Sequence, residues 1–109
     1  MPSSLSPKRV EFTDEFKRNV RILSKRYRHI RSDLDEVIKR LEAGEVVGDQ
    51  VQGVGFSVFK VRVRNRDIQR GKSGGYRLLY YLRTHEMVVL VTVYSKSEQS
   101  DISIAELRK

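Results

Sequence analysis

The stretch Val58-Phe59-Lys60-Val61-Arg62-Val63-Arg64 decides the reading of this chain. Its strict alternation is the signature of a half-buried strand. Val58, Lys60, Arg62 and Arg64 fall on one side, and Phe59, Val61 and Val63 on the other. Three cations on one face of one strand repel each other, so the arrangement makes sense where a polyanion comes to that face. Arg66, Arg70, Lys72 and Arg77 follow, and residues 60–77 hold seven cations against one acid, Asp67. A cationic sheet face beside a core is suited to gripping a phosphodiester.

The whole chain carries the same bias. Its 109 residues have a net charge of +8 and a pI near 10.0, and most of its 22 cations are arginine, the residue suited to forked phosphate recognition. Such a balance points to nucleic acid, an anionic membrane or an acidic protein partner. Cysteine is absent, which excludes disulfides and thiolate metal sites. No apolar run approaches the length of a membrane span, and the first residues lack an apolar signal core. The chain reads as one soluble, cytosolic domain without membrane attachment.

Working outward from the cationic strand, residues 1–7 are expected to be a flexible leader and residues 8–109 the folded domain. Lys8 to Phe12 suits a short edge strand. Thr13 suits an N-cap, with Asp14 and Glu15 at the positive end of a helix dipole. Phe16, Val20, Leu23 and Tyr27 make an amphipathic stripe, whose opposite face carries Lys17, Arg18, Arg21 and Lys25. The pattern breaks at residues 28–31. Ser32 is expected to cap a second helix, with Leu34, Val37, Ile38 and Leu41 as its buried stripe and Gly44 as its stop. Residues 48–55 read as loop. Tyr76 to Arg83 is a further strand. Thr84-His85-Glu86 is a tight turn, and Met87 to Tyr94 is apolar enough for a central strand covered on both faces. Ser103-Ile104-Ala105-Glu106 has capping-box spacing for a last short helix. The predicted class is α+β: a small single domain in which a helical hairpin packs on a mainly antiparallel, twisted sheet, in the order β-α-α-β-β-β-α. Both helix stripes and the strands need a common apolar partner, which predicts a core including Val61, Val63, Leu78, Val89, Val91 and Val93.

The sequence offers little conventional catalytic equipment. His29 and His85 both read as solvated loop histidines. No cluster has metal-ligand spacing, and the carboxylates sit on the helices rather than in the sheet. Gly71-Lys72-Ser73-Gly74-Gly75 is a poor phosphate loop because it leads into a strand. What remains is a set of cations with one tyrosine: Lys60, Arg62, Arg64, Arg77, Tyr94 and Lys96. Such a set is compatible with RNA cleavage without a metal or other cofactor. That reaction needs a base for the 2′-hydroxyl proton, donors for the charge that develops on phosphorus, and an acid for the 5′-oxygen. A lysine among arginines is the candidate base.

Three segments together resemble the RelE/HigB-like toxins of bacterial type II toxin–antitoxin systems. They are Phe59-Lys60-Val61-Arg62-Val63-Arg64, Gly75-Tyr76-Arg77-Leu78-Leu79-Tyr80-Tyr81 and Val91-Thr92-Val93-Tyr94-Ser95-Lys96-Ser97-Glu98. The resemblance extends from about Lys8 to Lys109, and the Gly71–Gly75 lead-in is similar to the longer, HigB-like branch. It implies a compact sheet backed by a helical hairpin, and a ribosome-dependent, metal-independent mRNA endoribonuclease. The family's catalytic cations then fall on Lys60, Arg62, Arg64 and Arg77. Arg66, Arg70, Lys72, Lys17, Arg18, Arg21 and Lys25 become candidate contacts to RNA or ribosome. The partners implied are the ribosome with its mRNA and a cognate antitoxin that lays an acidic or amphipathic segment over the cationic face. Where many members have an arginine after the last strand and a C-terminal tyrosine, this chain has Ser97 and Ser103. The general acid is thereby open among Tyr94, Lys96, Arg70 and Lys72. The related ParE-like gyrase inhibitors share the fold and are the alternative.

Overall fold

The computed structural model describes residues 7–53, 57–68 and 75–96. Two helices, α1 (Asp14–Ser24) and α2 (Ile30–Glu42), pack on a sheet of five strands: β1 (Arg9–Phe12), β2 (Asp49–Gln50), β3 (Val58–Val63), β4 (Tyr76–Thr84) and β5 (Met87–Ser95). The sheet order is β1-β5-β4-β3-β2. β1 runs parallel to β5, and the other neighbours are antiparallel. This is the expected α+β arrangement with one added element, the short β2. The final helix expected from Ser103 lies outside the described residues.

The caps explain how α1 and α2 are delimited. Thr13 Oγ1 accepts the Phe16 N–H at 3.0 Å, which satisfies one of the donors that open α1. α2 begins three residues earlier than expected. Its N-cap is His29, and Ser32 lies inside the first turn, where its hydroxyl donates to the His29 carbonyl. At the other end Gly44 adopts φ +99°. Glu45 N–H bonds the Arg40 carbonyl while Gly44 N–H bonds that of Leu41, a complete Schellman closure.

One core lies between the helices and the sheet. It takes Phe16 and Val20 from α1, Ile30, Leu34, Val37 and Leu41 from α2, and Val61, Val63, Tyr76, Leu78, Tyr80 and Val93 from the strands, with Leu23 and Ile38 partly buried against it. The register predicted for β3 therefore holds: Val61 and Val63 point to the helices, while Arg62 is exposed. In β5 the prediction fails in part. The pairing shifts between Leu79 and Tyr80, so that Leu79 faces Thr92 but Tyr80 faces Leu90, and Val91 is the extra residue. This bulge changes the alternation phase. Before it, Val88 and Leu90 enter the core; after it, Val93 does. Val89 is buried outside that cluster and Val91 is only partly covered. β5 lies inside the sheet as expected, but β4 is the middle strand.

β1 covers β5 only from Met87 to Leu90. Beyond it, α1 protects the strand edge with side chains. Thr13 Oγ1 donates to the Val91 carbonyl at 2.6 Å, and Asn19 Nδ2 donates to the Val93 carbonyl at 3.3 Å and to Thr92 Oγ1 at 2.9 Å. These bonds satisfy backbone acceptors that a bare edge would leave to water or to another chain.

At the opposite edge, Gly48 crosses β3 at φ +87°, and a Cβ built there would stand 2.4 Å from the Lys60 carbonyl oxygen. Only glycine allows so close a crossing. The buried Tyr80 side chain supports the same segment. Its hydroxyl donates to the Val47 carbonyl at 2.6 Å, and burial pushes its pKa up to about 12. Gly48 and Tyr80 thus hold this segment against the sheet, and its residues 46–49 form one wall of the site described next.

Candidate nucleic-acid interface

β2 pairs with β3 only at Phe59 and Lys60. The edge of β3 from Val61 onward faces the C-terminal end of α2 instead. A cleft of about 690 Å³ opens there, and Lys60, Arg62, Arg77 and Lys96 all line it. Four of the six cations and tyrosines expected to act together are therefore brought to one place. The register shows how. Arg62 on β3 stands opposite Arg77 on β4, and Arg77 stands opposite Tyr94 on β5. The three form a row across one face. Lys96 follows β5 and is tied in by its N–H to the Gly75 carbonyl at 2.9 Å.

Arg77 belongs to the cationic face but does not meet bulk solvent. It is 5% exposed, and its Nη1 donates to the Tyr76 carbonyl at 3.2 Å. The reason is its place on the middle strand, with neighbours on both sides. A buried guanidinium has few alternative positions, and this one borders the cleft. Tyr94 is also buried, but in a small apolar cluster with Val58 and Leu79, and it does not line the cleft. Arg64 lies one residue past β3 and lines an adjoining cleft of about 550 Å³.

Three charged residues outside the expected set also line the main cleft. Arg40 comes from α2, Glu45 from the turn after it and Asp49 from β2. Arg40 bridges Glu45 through Nε at 3.1 Å and Nη2 at 3.0 Å. The signal for this pair was the Schellman closure itself, which brings residues 40 and 45 together. Asp49 is the direct cross-strand partner of Lys60. Although the acids concentrate on the helices, two carboxylates, Glu45 and Asp49, line this cleft. Five cations still outnumber them.

The other candidate contacts separate into two groups. Lys17, Arg18, Arg21 and Lys25 are exposed on α1, which packs against β5, away from the β3 edge. Arg66 is engaged within the fold. Its Nε meets Asp33 Oδ1 at 2.9 Å, its N–H donates to Asp33 Oδ2 at 3.1 Å, and its Nη2 meets Glu36 Oε1 at 2.8 Å. The Asp33 side chain is 1% exposed, so Arg66 neutralises a buried carboxylate and fastens the chain after β3 to α2. Arg70, Lys72, Ser97 and Ser103 lie outside the described residues.

His29 has a partner rather than being simply solvated. Its N–H donates to Asp67 Oδ2 at 2.9 Å, and its Nδ1 lies 2.8 Å from Asp67 Oδ1. The backbone bond from His29, then the ring contact, hold the Asp67 carboxyl below its ordinary value of 3.8. A depressed carboxyl contributes stability that is present above pH 3.8 and lost as pH falls through the lower folded value. Asp67→Asn should therefore flatten the acid limb of the unfolding curve in that window and leave its shape above pH 5 unchanged. Chemical unfolding at a series of pH values checks this, and an unaltered acid limb would refute it. His85, in the β4–β5 turn, is exposed as expected. Among the described residues no three His, Asp or Glu side chains group as metal ligands.

The fold is a small antiparallel-rich sheet, backed by two helices and cut at one edge by a cleft in which cations outnumber carboxylates. Residues 8–109 match the family model described as the RelE toxin of the RelE/RelB toxin–antitoxin system, and the chain belongs to that family. It is the toxin of a toxin–antitoxin pair, and an antitoxin is its partner. No helix among the described residues is long and apolar enough to cross a membrane.

Proposed function

We propose that this toxin is a ribosome-dependent endoribonuclease of the HigB-like branch, cutting mRNA with side chains alone and so inhibiting translation. The observation that carries the reading is the convergence of Lys60, Arg62, Arg77 and Lys96 on one cleft. In the proposed reaction the 2′-oxygen attacks the adjacent phosphorus, the P–O5′ bond breaks, and the products are a 2′,3′-cyclic phosphate and a 5′-hydroxyl. Arginine holds its proton too firmly to shuttle it, so Arg62 and Arg77 stabilise the phosphorane charge. The two lysines carry the transferable protons. Lys60, as the amine, takes the 2′-hydroxyl proton, and Asp49 is placed across from it to orient the side chain. Lys96, from the other side of Arg77, protonates the departing 5′-oxygen. Tyr94 supports the row by packing and takes no proton-transfer role, since it does not line the cleft.

Primer extension on ribosome-bound mRNA, followed by analysis of the new ends, tests this. The expected result is cleavage within the ribosome-covered codons, with cyclic-phosphate and 5′-hydroxyl ends and no requirement for added metal. Ends bearing 3′-hydroxyl and 5′-phosphate groups would overturn the mechanism. Inhibition of gyrase supercoiling without RNA cleavage would assign the protein to the ParE-like alternative.

A further inference from the structure

The two clefts adjoin, because Arg40 and Arg62 line both. Both follow the β3 edge that β2 leaves uncovered. The main cleft includes Val61 and Arg62, and the second continues through Val63 and Arg64. α2 forms the facing wall along both.

The charges in the second cleft are sorted in a particular way. It contains two carboxylates, Asp33 and Glu36, which would repel an anion. Both are taken by the single guanidinium of Arg66, at 2.9 and 2.8 Å. Arg40 is taken by Glu45 at 3.0 Å. What is left is Arg62 and Arg64, both exposed, neither paired with a carboxylate among the described residues. They are two residues apart on an extended segment, roughly 6.7 Å along the chain. That is the order of separation of neighbouring phosphates in an extended nucleic-acid strand. Guanidinium is the group that forks onto a phosphate, and an unpaired one loses no internal bond on doing so.

We propose that the adjoining clefts are one track for a single-stranded RNA backbone, in which Arg62 stays on the reacting phosphate and Arg64 forms a second phosphate subsite beside it. This rests on the nuclease reading of the main cleft. Arg64 is then a binding residue for the neighbouring phosphate, not a donor to the phosphorane, and Arg66 serves the site by cancelling the acids behind it.

The test uses a 2′-O-methyl oligoribonucleotide, which cannot be cut, so that binding is measured apart from cleavage. In one set of probes a single phosphodiester at a time is replaced by an uncharged methylphosphonate. Fluorescence anisotropy against salt should give a slope whose magnitude falls by about 0.7 in Arg64→Ala, as for one lost phosphate contact on a single strand. Arg64→Lys should restore the slope. One methylphosphonate position should weaken wild-type binding several-fold and leave Arg64→Ala binding unchanged, the non-additivity expected of groups in contact. Independent, additive effects at every position would overturn the subsite. So would an Arg64→Ala variant that binds RNA normally but loses its antitoxin, which would make the groove a peptide site. The two readings fail separately. Coupled binding with no cleavage of ribosome-bound mRNA would keep the track and remove the nuclease, whereas cleavage without coupling would do the reverse.

Discussion

Arg77→Ala should lower the rate of mRNA cleavage by about 10²–10³, the usual scale for losing one preorganised donor to a transition state. The expectation follows from the position of Arg77 between Arg62 and Tyr94 and from its 5% exposure, which holds the guanidinium at the cleft. The same burial adds a second effect. Truncation leaves space beside packed neighbours and removes the bond to the Tyr76 carbonyl, so stability should fall by about 1–3 kcal/mol. Rates must accordingly be compared at equal folded concentration. Arg77→Lys separates the two contributions. It keeps a charge and most of the volume but not the planar fork, so it should recover more of the stability than of the rate. Cleavage that survives Arg77→Ala at the wild-type rate would remove this residue from the mechanism.

Asp33→Ala should be the most destabilising single change in the polar part of the molecule. The Asp33 side chain is almost wholly buried, accepts the backbone N–H of Arg66 and is ion-paired with its guanidinium. Breaking a fully buried pair costs about 3–5 kcal/mol. Arg66 is half exposed and regains water when released, so about 2–4 kcal/mol is the expected loss after solvent screening. Against the 5–15 kcal/mol typical of a small domain that is a large fraction. Urea unfolding measures it. Asp33→Asn should lose less, because an amide oxygen still accepts the Arg66 N–H. A loss below about 0.5 kcal/mol for Asp33→Ala would mean that the clamp on α2 does not hold the chain after β3.

The parts of this protein legible in its sequence are those where a local rule has one solution. The alternation of residues 58–64 has only one phase that buries Val61 and Val63, and the structure adopts it. Thr13 and Gly44 mark helix ends because a side-chain acceptor and a left-handed residue are needed there. The Phe59–Arg64 and Gly75–Tyr81 segments carried the family, and the family model agrees over residues 8–109. The candidate site was legible as a list of cations and not as an arrangement. Lys60, Arg62, Arg77 and Lys96 meet in the main cleft, but Arg64 lines the next one, Arg66 is bound to Asp33 and Glu36, and Tyr94 belongs to an apolar cluster.

By itself, then, the sequence determined the elements, the buried face of β3, the cationic character of the other face and the family. Tertiary structure alone decided which arginines remain available to a ligand, because that depends on acids brought close from elsewhere in the chain. Asp33 and Glu36 are some thirty residues from Arg66, and no local pattern announces the meeting. It also decided the phase of β5. Where every residue is apolar, periodicity carries no information, and the bulge at Val91 is set by pairing with β4. The burial of Arg77 has the same origin: alternation assigns a residue to a face, but only the neighbouring strands determine whether that face meets water.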